Sequence, residues 1–184
     1  MANINLNNAP FINQRFIVTG AFGEPRGTSF HRGIDLAPLG FAGSLYTICN
    51  CILIYKGNDI TGYGFYCIFR ESNSNNMFLY AHLESPTAIN VGDYLEQGTF
   101  VGYAGQSGSA TGVHLHLEMQ NGSTWQYQAP LSTYINPCNY LRGLINVVST
   151  DNIYFYNGIP YNPTKNKKHK FPWFIYFRKR NLKI

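Results

Sequence analysis

Five histidines occur in the 184 residues, and four of them fall in three short contexts: "FHRGID" with His31, "LYAHLE" with His82, and "GVHLHLE" with His114 and His116. His31 and Asp35 lie four apart with Gly33 between them. In an extended chain both side chains point the same way, and the glycine allows a bend that brings imidazole and carboxylate to one point. In "GVHLHLEM", residues 112–119, the apolar Val113, Leu115, Leu117 and Met119 alternate with His114, His116 and Glu118. A period of two predicts a β-strand with one face on a core. The other face carries a row of three titratable groups spaced by roughly 6.5–7 Å.

Neutral imidazole and carboxylate are ordinary zinc ligands at roughly 2.0–2.2 Å. His31, Asp35 and one histidine of the strand make a set of three, which leaves a fourth position for water. That is the arrangement of a catalytic rather than a structural zinc. Spacing alone does not choose between His114 and His116. Zinc with an open position lowers the pKa of a bound water toward roughly 7 and polarises a carbonyl. No His-Glu-x-x-His helix is present to supply a glutamate base, so the leftover histidines are the candidates for proton transfer. Glu118 reads as a hydrogen-bond or ion-pair partner of the site rather than a ligand. Tyr80, two before His82, reads as packing. "GQSGSATG" (105–112) lacks the lysine and the following helix of a phosphate loop and reads as a sheet turn.

These residues need a scaffold that holds strands side by side. The chain is 45% apolar, 16% aromatic and 12% charged, long enough for one domain with a core of its own. Eighteen glycines, and no long apolar stripe at helical spacing, point to a mostly β protein with many turns. Strand signals lie at "RFIVTG" (15–20), "SLYTICNCILIYKG" (44–57), "YGFYCIFRE" (63–71) and "MFLYAHLE" (77–84), with "NPCNYLRGL" (136–144) as a short closing helix. The expected fold is a single antiparallel β-fold with long loops at one end. Cys49, Cys51, Cys67 and Cys138 form no Cys-x-x-Cys pair and read as buried free thiols.

"HRGID", "YAHL" and "TGVHLHLE", in this order, resemble the motifs of the lysostaphin-type zinc metalloendopeptidases, which cut peptidoglycan peptides. The flanks "GAFGEPRG", "GQSGSATG" and "NPCNYL" agree, and the resemblance covers about residues 15–145. It implies an antiparallel sheet or sandwich of the lysostaphin-like, duplicated hybrid motif type, with loops around a groove. It also implies one zinc ion on His31, Asp35 and His116, with His82 and His114 beside it as catalytic residues. The sequence departs from the family pattern at "GFAGSLYTICNCIL" (40–53), on the groove wall and away from the ligands.

Charge divides the chain into 1–150, which the resemblance makes a metallopeptidase domain, and a basic, aromatic extension over 151–184. Residues 1–151 hold six Lys and Arg against all nine Asp and Glu, while the other eight basic residues follow with no acid among them. In "KNKKHKFPWFIYFRKRNLKI" (165–184) basic clusters flank an apolar run of seven, too short to cross a bilayer. The expected partner there is an anionic envelope polymer or another virion protein. No nucleic-acid-binding module is recognisable. The N-terminus "MANINLNNAPFINQ" has neither the basic start nor the apolar core of a secretory signal. With a wall-cutting activity, that predicts a bacteriophage endolysin or virion-associated lysin acting on the bacterial wall. Two rival expectations are a non-catalytic wall-binding or virion module that keeps the fold, and a histidine phosphocarrier, which Asp35 disfavours.

Overall fold

The computed structural model describes residues 16–38, 43–141, 154–156 and 159–161. Two expectations rest on segments outside these residues: the bacteriophage setting, on residues 1–14, and the envelope or virion contact, on residues 165–184.

The regular elements of the described chain are almost all strands. They are β1 (Phe16–Gly20), β2 (Pro25–Arg26), β3 (Ser29–Phe30), β4 (Gly33–Pro38), β5 (Ser44–Tyr46), β6 (Cys51–Asp59) and β7 (Gly64–Glu71). After them come β8 (Asn76–Leu83), β9 (Tyr94–Leu95), β10 (Phe100–Tyr103), β11 (Leu115–Asn121), β12 (Tyr134–Ile135), β13 (Tyr154–Tyr156) and β14 (Ile159–Tyr161). The main sheet runs β14-β13-β1-β4-β11-β8-β7-β6-β9, with β12 also on β11, and every pairing is antiparallel. Two small ribbons, β10-β5 and β2-β3, stand off this sheet. The fold is the mostly β, antiparallel one expected.

Alternation builds the layers. In β4 Ile34 and Leu36 are buried in the main core, and in β11 Leu115, Leu117 and Met119 join them. Phe78 and Tyr80 of β8 enter the same core from the next strand, with Leu45 of β5 and Val101 of β10 closing it. Each large aliphatic or aromatic side chain buried this way contributes about 1.5–3 kcal/mol. A smaller cluster of Tyr66, Ile68, Met77, Leu79 and Ala81 lies apart from that core, packed against Ile54, Tyr63 and Trp125. Tyr80 is packing, as its sequence setting implied: it is fully buried and its hydroxyl donates to the Tyr46 carbonyl.

Four details differ from the sequence reading. The stretch 44–57 is not one strand, because the chain bends between β5 and β6; Thr47 and Asn50 there bind the 96–99 turn instead of a strand. Val113 is 50% exposed, since regular pairing of β11 starts only at Leu115. The described part of "NPCNYLRGL", residues 136–141, contains a 3₁₀ turn at Pro137–Asn139, capped by the Asn136 side chain. Gly33 serves as room rather than as a bend. A Cβ on it would lie 2.3 Å from the Leu117 carbonyl oxygen, so the glycine lets β4 close on β11. The four cysteines are free and buried, as expected.

Candidate metal centre

Strand register brings the first two groups together. Asp35 of β4 lies directly opposite His116 of β11, and opposed residues of antiparallel neighbours share a face. His31, on the segment entering β4, completes the group. Its Nε2 is 3.0 Å from His116 Nδ1 and 3.2 Å from Asp35 Oδ1, and His116 Nδ1 is 2.8 Å from the same oxygen. These three residues, all buried, are the group of possible metal ligands among the described residues.

The tautomers follow from what the outer ring nitrogens touch. His31 Nδ1–H donates to the Ala21 carbonyl at 2.8 Å, which leaves Nε2 as a bare lone pair facing inward. His116 Nε2–H donates to Glu118 Oε1 at 2.9 Å, which leaves Nδ1 inward. With both rings neutral, two nitrogen lone pairs and one carboxylate oxygen thus face one another across about 3 Å with no donor among them. Such a centre is repulsive unless a proton or a cation sits in it. Ligands held at zinc's usual distance in a tetrahedron stand about 3.3 Å apart, so the triangle has the right size. The donor set and its spacing fit zinc.

Titration behaviour expresses the same field. Burial pushes the Asp35 carboxyl up, but hydrogen bonds and charge from His116 and His31 outweigh it and hold the group far below the usual carboxylate range. Burial also pushes His116 down, yet Asp35 and Glu118 on its two nitrogens overcome this and raise it to about 9. The two carboxylates that stabilise a proton here would equally stabilise a divalent ion.

His82 and His114 flank the triangle, their ring centroids 4.8 Å apart. His82 Nδ1–H donates to the Ser107 carbonyl and His114 Nδ1–H to the Gly112 carbonyl, each at 2.8 Å. Both Nε2 atoms therefore face the cleft; that of His114 is 3.6 Å from Asp35 Oδ1. Burial lowers His82 to about 4, so it is neutral at ordinary pH.

His82 reaches this face by a local break in the strand. Plain alternation from Phe78 and Tyr80 would turn it into the core. Instead its φ is +60°, and the β7-β8 pairing slips between Phe65 and Cys67. A left-handed histidine inside a strand is strained, and the bulge re-aims its side chain. The 105–112 turn holds the result: Ser107 gives its carbonyl to His82, while its hydroxyl donates to Leu83 and accepts from the Phe65 N–H.

Three more side chains belong to the centre. Glu118, buried as β11 enters the sheet, accepts from His116 and from the Tyr63 hydroxyl at 2.9 and 3.0 Å. Arg26 of the β2-β3 ribbon reaches Asp35 Oδ2 at 2.6 Å. The period of two in β11 had already put Glu118 on this face. Neither Tyr63 nor Arg26 was legible, because each arrives from a turn or ribbon by a contact that follows no strand spacing. The only signal for Arg26 was its place in "GAFGEPRG".

The cleft over these groups has two lobes that share Arg26, His82 and Ser109. One, about 250 Å³, is lined by Phe30, Arg32, Asp59 and Tyr63. The other, about 550 Å³, is lined by small residues, among them Thr19, Ala37, Thr111 and Gly112. The ligand residues are shared between the lobes: His31 and His116 line the first and Asp35 the second.

Comparison with known proteins bears on the family and the fold. The model of "Peptidase family M23" matches residues 29–130, more than half of the chain. Among solved structures, the catalytic domain of the antimicrobial peptidase lysostaphin from Staphylococcus simulans is 26% identical, with a TM-score of 0.57 over 67% of this chain and 89% of that one. The catalytic domain of the prophage-encoded M23 protein EnpA from Enterococcus faecalis, in a mutant form, gives 24% and 0.57 over 71% and 95%. A zinc-containing peptidase from Vibrio cholerae gives 24% and 0.54 over 62% and 36%. At 24% identity the last two speak to the fold alone.

Proposed function

The chain belongs to peptidase family M23, and from that premise we propose that it is a zinc-dependent endopeptidase of bacterial peptidoglycan, cutting the stem peptide or the cross-bridge. The observation that carries this reading is the convergence of two imidazole nitrogens and one carboxylate oxygen within 3.2 Å of each other where two lobes of a cleft meet the same side chains.

His31, Asp35 and His116 would hold one zinc ion. Bound there, zinc would acidify a water toward a pKa of roughly 7 and polarise the scissile carbonyl. Glu118, itself fixed by Tyr63, keeps His116 in the tautomer that offers Nδ1. His82 and His114 are the proposed catalytic pair. In the neutral ring each presents a bare Nε2 that can take a proton and return it to the leaving amine, and once protonated that Nε2–H can donate to the carbonyl oxygen as charge grows on it. The fixed carbonyls behind both rings remove the need to reorganise during the reaction. The likeness to the catalytic domain of an antimicrobial peptidase supports a wall substrate. No helix among the described residues is long and apolar enough to cross a membrane.

Mass spectrometry of fragments released from purified walls of several bacteria, with and without a chelator, tests the reading. We expect new amino termini within wall peptides, lost on chelation, restored by zinc and absent in His116→Ala. Zinc uptake with intact walls would instead favour a binding module that keeps the fold.

A further inference from the structure

Asp35 is held at both oxygens, by different partners. Oδ1 faces His31 and His116, whereas Oδ2 lies 2.6 Å from a guanidinium nitrogen of Arg26. Hydrogen bonds between guanidinium and carboxylate are of the strong, charge-assisted kind. The fold leaves space for this one. Gly20 ends β1 opposite Asp35, where the β1-β4 register slips. A Cβ at Gly20 would sit 2.4 Å from Asp35 Oδ2 and 2.7 Å from the Arg26 nitrogen, so any other residue there would push the pair apart. The ribbon that brings Arg26 is tied to the ligand segment: Gly23 N–H donates to the His31 carbonyl and His31 N–H to the Glu24 carbonyl, both at 2.8 Å. Arg26 has one other acidic neighbour, Glu24 at 3.8 Å.

We propose that Arg26 is a positioning residue that occupies the outer oxygen of Asp35, so that the carboxylate offers only Oδ1 to a bound zinc ion. This rests on the zinc reading above. A carboxylate with both oxygens free can turn and clasp an ion with both, which takes up coordination space that water and the scissile carbonyl need. Arg26 blocks that turn, and Gly20 makes Arg26's place possible.

The test uses the full chain as wild type, Arg26→Ala and Arg26→Lys, with zinc affinity measured by competition against a chromophoric chelator. The visible spectrum of the cobalt-substituted proteins reports coordination number. Removal of an outer partner of a metal ligand costs about 10–100-fold in affinity, and that loss is expected for Arg26→Ala. Its cobalt absorption should also weaken as the carboxylate adds its second oxygen. Arg26→Lys keeps one charged donor and should recover part of both. Gly20→Ala should lower affinity in both backgrounds, because its Cβ would meet Asp35 Oδ2 as well as the Arg26 nitrogen. Unfolding midpoints of the metal-free proteins separate this from general loss of structure. Wild-type uptake of zinc with an unchanged affinity and cobalt spectrum in Arg26→Ala overturns the assignment alone. A wild-type chain that takes up no zinc overturns the zinc reading and this assignment together.

Discussion

Each imidazole at the cleft commits one ring nitrogen to a fixed acceptor, so which nitrogen faces the cleft is set in all four before any ligand arrives. Ala21, Ser107 and Gly112 supply carbonyls, and Glu118 supplies a carboxylate. Without metal, the centre resolves its lone-pair repulsion by holding a proton on His116, whose pKa stands at about 9. Zinc must displace that proton. At pH 7 we therefore expect about one proton released per zinc bound, measured by titration calorimetry in buffers of different ionisation enthalpy; release of none would contradict the assignment. The same shift has a sign for stability. His116 has a folded pKa above its unfolded one, near 6.5, so its contribution is whole below that pH and fades as pH rises through about 9. His82 works in the opposite direction, its pKa of about 4 withdrawing stability as pH falls from about 6.5. Thermal unfolding of the chelated protein should accordingly show a midpoint that declines on both sides of near-neutral pH.

At the level of strands, the site is a matter of register. Facing positions on β4 and β11 put Asp35 beside His116, and Gly33 lets those strands approach. Gly33→Ala would drive a Cβ into the Leu117 carbonyl. We expect it to cost about 1–3 kcal/mol or more in urea unfolding and to weaken zinc binding; a neutral substitution would mean the strands are not so tightly apposed. His82 is the place where alternation misleads. The apolar period of β8 is plain in the sequence, and it assigns His82 to the core side with Tyr80. Only the backbone at φ +60° and the slipped pairing with β7 turn it to the cleft. No residue type in "YAHL" announces that, because it depends on how two strands and the 105–112 turn meet. Substitutions should expose the strain: His82→Gly should be more stable than His82→Val by about 1–3 kcal/mol, with the hydrolytic activity lost in both. Equal stabilities would argue against a left-handed residue there. The histidine row of β11 was legible because its period is regular over seven residues. Tyr63 and Arg26 were not, since their contacts span 55 and 9 residues of sequence and follow no spacing rule.

Across the whole molecule, the cleft side chains hang from a sheet whose core is apolar and whose thiols are buried and reduced. Stability and activity should therefore be indifferent to reductant, while zinc at about a hundredfold over its dissociation constant should add about 2.7 kcal/mol to unfolding. Chelation should lower the midpoint by a matching amount without changing the far-ultraviolet spectrum. The order of the three histidine motifs, the mostly β composition and the family were all open to reading in the sequence. The outer partners that fix tautomers were not, because most are backbone carbonyls, which every residue carries. The most direct measurement is the X-ray absorption spectrum at the zinc edge of the zinc-loaded chain. The account predicts one zinc per chain in a shell of nitrogen and oxygen only, with two imidazoles at about 2.0–2.1 Å. Sulfur scatterers at about 2.3 Å, placing the ion on the cysteines, would contradict it.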